Sequence, residues 1–368
     1  MSTAKGPSYW DYLKLDQLLF LQAGLEEDES KISSDELHFI VVHQIYELWF
    51  KLILRELRLA RDELAAPKVA EIAVPHVVHH LGRVTEILKL AVQQWAVVET
   101  LTPQDFLAFR DKLFPASGFQ SYQMREVEIL LGSKGPDRAR YGDVDPVEHI
   151  RQKSAGSVGG EIAKAKLDAA EAEQSLREAL LEWLFRTPIQ GSGPQDKDDE
   201  ATVNQFIDAY LVAHDKQQRS QLDALVANGI SDPDLLARRF ETASSLAHSF
   251  LHAHEEEESE RAHHRRARAG LLFIESYRSL PLLSWPRLLV DAVVEVEEQF
   301  VLWRNRHARM VERTIGRRVG SGGSSGVDYL DRAAAHRIFP ELWAIRTILL
   351  PVQALPELKN SRFYDFAQ

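Results

Sequence analysis

The stretch that decides the fold is Val296-Glu-Glu-Gln-Phe300-Val-Leu-Trp303-Arg-Asn-Arg-His307-Ala-Arg-Met310-Val-Glu-Arg-Thr-Ile-Gly316. Val296, Phe300, Trp303, His307 and Met310 follow one another at steps of four and three residues, so they share one face of a helix. The other members of this face are large and apolar. The pattern therefore places the imidazole of His307 inside the protein, where its ring nitrogens need partners.

A second histidine, His43, has the same kind of surroundings far away in the sequence. It belongs to a seam that again steps by four and three, formed by Phe39, His43, Tyr46, Phe50, Ile53 and Leu57. Each histidine has two interpretations. It is either a core histidine satisfied by hydrogen bonds, or a ligand, because a buried neutral imidazole with a free ring nitrogen can bind a metal ion or a haem iron. The spacing leaves both open.

Composition excludes several classes of function. The 368 residues are 45% hydrophobic and 27% charged, an ordinary globular mixture, and the net charge of -11 argues against binding nucleic acid. The absence of cysteine excludes disulfides, iron–sulfur clusters and thiol nucleophiles. The N-terminus lacks the apolar run of a secretory signal, and no run of about 18 apolar residues is present to span a membrane. We expect a cytoplasmic protein that does not bind membranes.

Helical periodicity covers nearly the whole chain, without a series of alternating strand-like segments, and predicts an all-α helical bundle. Long helices are predicted over Leu37 to Leu64, Pro75 to Glu99, a segment ending at Leu131, Glu161 to Arg186, and Trp285 to Gly316. Residues 133–160, rich in Gly, Asp and Pro, are predicted to be irregular. We predict one domain over 1–368, with a core from about 8–132 and 270–350. Residues 190–268 are predicted to be peripheral, with a flexible link at 190–200 and a polar helical hairpin.

Three further features are weaker candidates for chemistry. The segment Gly320-Ser-Gly-Gly-Ser-Ser-Gly326 is typical either of a loop that closes over a ligand or of a simple linker. Arg125 follows aromatic residues, where a guanidinium can bind a carboxylate through two hydrogen bonds. Two histidine groups have helical spacing that could suit a metal, although a solvated polar face is the simpler interpretation: His76, His79 and His80, and His248, His252 and His254 with Glu255.

Several long strings together resemble the tryptophan 2,3-dioxygenase family. They are His43-Gln-Ile-Tyr-Glu-Leu-Trp-Phe-Lys51, Pro115-Ala-Ser-Gly-Phe-Gln-Ser-Tyr-Gln-Met-Arg125 and the 320–326 glycine segment, supported by Tyr9-Trp-Asp-Tyr12-Leu13, Glu182-Trp-Leu-Phe-Arg-Thr-Pro188, Trp303-Arg304 with His307, and Phe339-Pro-Glu-Leu-Trp343. The resemblance covers about residues 8–132 and 270–350. It implies an all-α enzyme with haem b, active as Fe2+, usually a homotetramer. Such an enzyme opens the indole ring of L-tryptophan with O2 to give N-formylkynurenine.

The resemblance also implies roles for individual residues. His307 falls on the position of the proximal haem ligand, and His43 on the distal histidine beside the indole N–H, which it would orient. Arg125 matches the arginine that pairs with the substrate carboxylate, and Phe39 matches an aromatic wall of the indole pocket. Ser321 matches the residue whose hydroxyl contacts the amino acid end of the substrate. Tyr9, Tyr12 and Leu13 match a segment that, in the family, reaches into the site of a neighbouring subunit.

Three positions depart from the family pattern. Serine stands at Ser321 where threonine is usual, Asn305 replaces an aromatic residue, and Glu312 replaces a frequent histidine. These departures keep two alternatives open. One is a sister haem enzyme that oxidises a substituted tryptophan by inserting one oxygen atom rather than two, and the other is a haem-binding sensor or scaffold without turnover.

Overall fold

The structure, a computed structural model, describes residues 6–135, 138, 140, 145–230, 232–318 and 326–365. Within this part of the chain it is built from helices, without a β-strand, which confirms the predicted fold class. The helices are α1 (Tyr9–Leu13), α2 (Leu15–Leu18), α3 (Ser34–Ala65), α4 (Ala73–Val98), α5 (Pro103–Phe109), α6 (Tyr122–Leu131), α7 (Pro146–Lys153), α8 (Val158–Ala172), α9 (Leu176–Phe185), α10 (Asp199–Ala227), α11 (Pro233–His252), α12 (Glu258–Ser276), α13 (Ser284–Ile315), α14 (Gly326–Ala335) and α15 (Pro340–Ile348).

The three longest core helices, α3, α4 and α13, determine where the two seam histidines lie. The α4 helix packs against both α3 and α13, and the three contribute much of the main hydrophobic core. Local signals fix their ends: the Ser33 hydroxyl accepts from the Glu36 amide at the start of α3, and α3 stops before Pro67. The predicted α3, α4, α6 and α13 are confirmed to within about three residues at each boundary.

The prediction of one continuous helix over Glu161 to Arg186 is wrong. The chain forms α8 and α9 instead, separated at Glu173–Ser175. Ser175 begins α9 with a capping box, in which its side chain accepts from the Glu178 amide and the Glu178 carboxylate accepts from the Ser175 amide. The prediction that 133–160 is wholly irregular is also wrong, because Asp145 caps the α7 helix within it.

The middle of the chain is more closely attached to the core than its polar composition indicates. The first half of α10 contributes Val203, Phe206, Ile207 and Tyr210 to the main core. The predicted flexible link is held by Arg266 of α12, whose guanidinium donates to Asp199 at 2.7 Å and to the Thr187 carbonyl at 3.1 Å. The second half of α10 and the α11 helix form the more exposed hairpin. The single-domain organisation stays a prediction.

One helix, α3, is long and apolar enough to cross a membrane by length and composition alone. Its residues Val42, Tyr46, Phe50, Ile53 and Leu57 are nevertheless buried against the rest of the core. The core helix of a globular protein passes the same test. The apolar residues of α3 are therefore explained by their packing in the core of the protein.

Candidate functional site

Two adjoining cavities bring the seam histidines together. One has a volume of about 340 Å³ and the other about 490 Å³, and both are lined by His43 of α3 and His307 of α13. Ser117 and Gly118, in the turn before α6, also border both cavities. We call them the smaller and the larger chamber. Residues that are 264 positions apart in the sequence, 43 and 307, thus share one internal space.

The smaller chamber has an aromatic wall beside a cation. The Phe39 ring lies 4.0 Å from the His43 ring and 5.8 Å from the Phe106 ring, centroid to centroid. Arg110, which follows α5, also lines this chamber. Aromatic walls of this kind suit the ring of an aromatic amino acid.

The α5 helix is placed by a strong N-terminal signal. Thr102 and Asp105 form a capping box, and Pro103 occupies the first turn. Phe106 and Arg110 are four residues apart, so both project toward the same side. Phe106 and Arg110 were not predicted from the sequence, because a helix of seven residues is too short to show a reliable period. The Thr-Pro-x-Asp start at 102–105 was the available signal.

His43 presents a hydrogen-bond acceptor to the chamber. Its Nδ1 lies 2.7 Å from the carbonyl oxygen of Phe39, one turn earlier in α3. Because a carbonyl only accepts, Nδ1 carries the proton, and in the neutral ring Nε2 keeps its lone pair. Burial lowers the pKa of His43, which favours that neutral form. The free Nε2 lone pair can therefore accept a proton donor such as an indole N–H.

His307 has the properties of an axial ligand. Burial, followed by the charges of Arg125 and His43, lowers the pKa of His307 to about 3, so the imidazole is neutral at pH 7. The Trp95 ring of α4 stacks on it with centroids 4.9 Å apart and planes 6° apart. The ring makes no hydrogen bond with the described residues. A neutral imidazole that stacks on an aromatic ring and lines a cavity is a suitable metal ligand.

A buried ionic network forms one wall of the larger chamber. Arg125 of α6 donates to Glu128 at 2.6 Å and to the Tyr329 hydroxyl at 2.7 Å. The Arg304 guanidinium donates to the other oxygen of Glu128 at 3.1 Å and to the Ala333 carbonyl at 3.1 Å. The four members of the network are each about 5% exposed or less. The network links α6, α13 and α14 behind the chamber.

The residues of the two chambers fit a haem. The space is lined by aromatic side chains, including Tyr46, Phe50, Trp95 and Trp303, which suit a flat macrocycle. One neutral histidine is available to the iron, and a second histidine borders the same space. The Trp95 indole N–H is buried without an acceptor among the described residues, as expected where a bound group supplies one.

The two histidine groups that compete as metal sites do not form one, because no group of three or more metal-ligating side chains occurs among the described residues. In the first group the His80 Nδ1 lies 2.6 Å from the carboxylate of Glu56. In the second, the His248 Nε2 lies 3.0 Å from Asp215. Both groups are ion-paired helix faces.

The structure brings four of the predicted site residues to the two chambers. Phe39 lines the smaller chamber, Arg125 lines the larger one, and His43 and His307 line both. Tyr9, Tyr12 and Leu13 lie on α1, where they are 71%, 77% and 41% exposed. Ser321 lies outside the described residues.

Comparison with known proteins adds an independent observation. The sequence model of the family described as Tryptophan 2,3-dioxygenase matches residues 1–349. "Tryptophan 2,3-dioxygenase 2" of Ralstonia nicotianae is 42% identical, over 99% of this chain and 99% of its own length. "Tryptophan 2,3-dioxygenase" of Sorangium cellulosum is 41% identical, over 98% of this chain and 88% of its own length. A protein of the same name from Dictyostelium discoideum is 34% identical, over 97% of this chain.

Proposed function

Because this chain belongs to the tryptophan 2,3-dioxygenase family, we propose that it is a haem-dependent dioxygenase acting on L-tryptophan. It would insert both atoms of O2 across the C2–C3 bond of the indole to give N-formylkynurenine. The observation that carries the proposal is the pair of neutral histidines, His43 and His307, at one aromatic cavity. A single such histidine is common in protein cores, but two that border one cavity beside an aromatic wall indicate a cofactor with a substrate next to it.

His307 would hold the haem b iron, and the bound ferrous haem would supply the dioxygen chemistry. The contribution of the protein is to keep the His307 ring neutral and in a fixed plane. Burial provides the first condition and the stacked Trp95 ring provides the second.

The smaller chamber would hold the indole. Phe39 and Phe106 provide its apolar walls, and the Nε2 atom of His43 would accept the indole N–H. This bond would orient the C2–C3 edge, and the rate gain would come from positioning. The indole N–H is a very weak acid, so His43 would act as an acceptor that orients the ring rather than as a base that removes the proton.

We propose that Arg125 binds the substrate carboxylate, as the resemblance implies. Arg125 lines the larger chamber, which His43 and His307 also line. Its guanidinium donates to Glu128 at 2.6 Å and to the Tyr329 hydroxyl at 2.7 Å, and these bonds hold it in the wall of that chamber. The role of Ser321 stays a prediction from the resemblance.

We propose a homotetramer in which the N-terminal segment completes a neighbouring subunit's site. Tyr9, Trp10 and Tyr12 are 71%, 63% and 77% exposed, and Phe20 is 76% exposed. Large aromatic side chains concentrated in one exposed segment are typical of a surface that another protein covers. In a neighbour, Tyr9, Tyr12 and Leu13 would close the chamber over the substrate.

A cytoplasmic location is the remaining part of the proposal. The sequence has no cysteine, so its folding does not depend on an oxidising compartment. Cell fractionation with antibody detection measures the location directly, and recovery of the chain in the membrane or secreted fraction would contradict it.

The activity is tested with purified, haem-loaded and reduced protein, L-tryptophan and isotopically labelled O2. We expect N-formylkynurenine that carries two labelled oxygen atoms. A product with one labelled atom would place the protein in an oxygen-inserting class instead. Normal haem loading without any turnover of L-tryptophan would contradict the dioxygenase proposal.

A further inference from the structure

Lys112 connects a wall of the smaller chamber to two other parts of the chain. It lies in a short 3-10 helix, Arg110–Leu113, which we call the wall helix because its residue Leu113 lines that chamber. The Lys112 ammonium donates to the Glu36 carboxylate of α3 at 2.9 Å and to the Glu26 carboxylate at 2.7 Å. These two bonds tie the wall helix to α3 and to the segment before it.

The wall helix depends on such bonds because it has little structure of its own. It contains only four residues, and the hydrogen-bond geometry of a 3-10 helix is poorer than that of an α-helix. At its end the Phe114 amide donates to the Asp111 carbonyl over 3.4 Å, which is long for a hydrogen bond. The place of Leu113 in the chamber wall is therefore set by side-chain contacts with the rest of the protein.

The anchor on α3 is buried and close to the aromatic wall of the same chamber. Glu36 is 5% exposed and lies one turn before Phe39, which lines the smaller chamber. The α3 helix is 32 residues long and packs in the main core, so it provides a firm attachment. A buried carboxylate is strongly unfavourable without a charged partner, a requirement that Lys112 meets.

The second carboxylate, that of Glu26, converges on the same point. A Cβ atom on Gly24 would lie 3.0 Å from one oxygen of Glu26 and 3.6 Å from one oxygen of Glu36, so both carboxylates approach one stretch of backbone. Carboxylates this close repel each other unless a cation bonds to both. Hydrogen bonding to Lys112 lowers the pKa of Glu26, and bonds to Glu26 and then Glu36 raise the pKa of Lys112.

We propose that Lys112 is a positioning residue that sets the width of the substrate chamber. By tying the wall helix to α3, it keeps Leu113 in the same lining as Phe39 and Phe106, the walls assigned to the indole. This inference rests on the proposed function, because the smaller chamber must be the one that takes the indole. Without the ammonium both attachments are lost, and the wall helix is free to move outward.

The first test measures substrate binding without turnover. Haem-loaded full-length protein is titrated with L-tryptophan by calorimetry in the absence of O2, as wild type, Lys112→Met and Lys112→Arg. Methionine keeps the length of the side chain but cannot bond to the carboxylates, whereas arginine can bond to both. We expect Lys112→Met to raise the Kd about tenfold, since part of the apolar contact with the indole is lost, and Lys112→Arg to stay within about twofold of wild type.

A wider chamber should also change which substrates are accepted, an effect that a general loss of stability would not produce. The kcat/KM values for 5-methyl- and 6-methyl-L-tryptophan are compared with that for L-tryptophan. For at least one of the two, the ratio of methylated to parent substrate should rise about threefold or more in Lys112→Met and return to the wild-type value in Lys112→Arg.

Lys89→Met is the matched control. Like that of Lys112, the Lys89 side chain is 40% exposed and bridges two glutamates, Glu86 at 3.1 Å and Glu295 at 3.6 Å, but neither Lys89 nor the residues beside it line a chamber. This variant should keep the wild-type Kd and ratios. If Lys112→Met behaves like Lys89→Met in both measurements, Lys112 does not position the wall. A wild-type protein that binds no L-tryptophan would instead overturn the proposed function.

Glu26→Gln is a milder second variant, in case Lys112→Met does not fold. It weakens the attachment at the more exposed partner and leaves the buried Glu36 paired with Lys112. The Kd and the substrate ratios should shift in the same direction as in Lys112→Met, by a smaller factor, with wild-type haem content and thermal unfolding. If Lys112→Met cannot be purified, wild-type Kd and ratios in Glu26→Gln would overturn the inference.

Discussion

Single residues of the two chambers give the sharpest test of how the substrate binds. Arg125→Met should raise KM for L-tryptophan by about 10- to 100-fold, because a charge-assisted pair with the carboxylate is lost. Tryptamine, which has no carboxylate, should be turned over equally well or equally poorly by both proteins. Steady-state kinetics with the two substrates measures the difference, and a wild-type KM for L-tryptophan in Arg125→Met would contradict the proposed role of Arg125.

His43 is expected to orient the substrate rather than to remove a proton. His43→Ala should lower kcat/KM for L-tryptophan by about tenfold, the value of one neutral hydrogen bond, and should not abolish turnover. For 1-methyl-L-tryptophan, which lacks the N–H, the same substitution should change kcat/KM little. Complete loss of activity toward L-tryptophan with full haem loading would indicate that His43 is an obligatory base.

Individual chamber residues were predictable from the sequence where they lie on the apolar face of a long helix. The steps of four and three placed Phe39, His43 and His307 on inward faces because α3 and α13 are each 32 residues long, enough for the period to be clear. Arg110 was not predicted in this way, because the α5 helix that precedes it has only seven residues. The partnership of Arg125 with Arg304 joins positions 179 apart through Glu128, and local spacing contains no information about such a contact.

Among the helices, the crossing of α12 and α9 depends on one glycine. A Cβ atom on Gly270 would lie 2.4 Å from the carbonyl oxygen of Leu184, on a backbone that cannot move aside easily. Gly270→Ala should therefore destabilise the protein by about 2 kcal/mol or more, in the range of an overpacked core. Denaturant unfolding measures the change.

Gly82→Ala is the matched control for that substitution. Gly82 also lies in a helix, α4, but nothing stands within 4 Å of the position of its Cβ. Alanine there should stabilise the protein by about 0.5–1 kcal/mol through its helix propensity. A Gly270→Ala protein as stable as Gly82→Ala would show that the two helices can separate at no cost.

The boundaries of the helices were predictable only where capping residues and the apolar period agreed. The start of α3 at Ser33 and its end before Pro67 had both signals. The break between α8 and α9 is marked in the sequence only by the capping box of Ser175 and Glu178. Helix-forming residues stand on both sides of it, so the capping box alone did not predict the break. The charge of Arg266 and Arg268 of α12 predicts that they lie at the surface. They are buried instead, because Asp199, Glu255 and Glu256 pair with them.

In the proposed homotetramer, the exposed α1 segment of one subunit completes the site of a neighbouring subunit. Replacing Tyr9, Trp10 and Tyr12 together by serine should weaken the tetramer and raise KM for L-tryptophan, since a neighbour's chamber would remain open to water. Sedimentation velocity measures the assembly, and the haem content should stay normal because Tyr9, Trp10 and Tyr12 line neither chamber of their own subunit. A triple variant with unchanged mass and kinetics would contradict the role of the segment.

We propose that His307 provides the axial ligand of a haem beside His43. The variant His307→Gly leaves a cavity where the imidazole stood, and its haem content and Soret spectrum are measured with and without added imidazole. We predict that the variant loses bound haem and that free imidazole restores both the haem and a wild-type spectrum. Stoichiometric haem with an unchanged spectrum in His307→Gly without imidazole would contradict the claim.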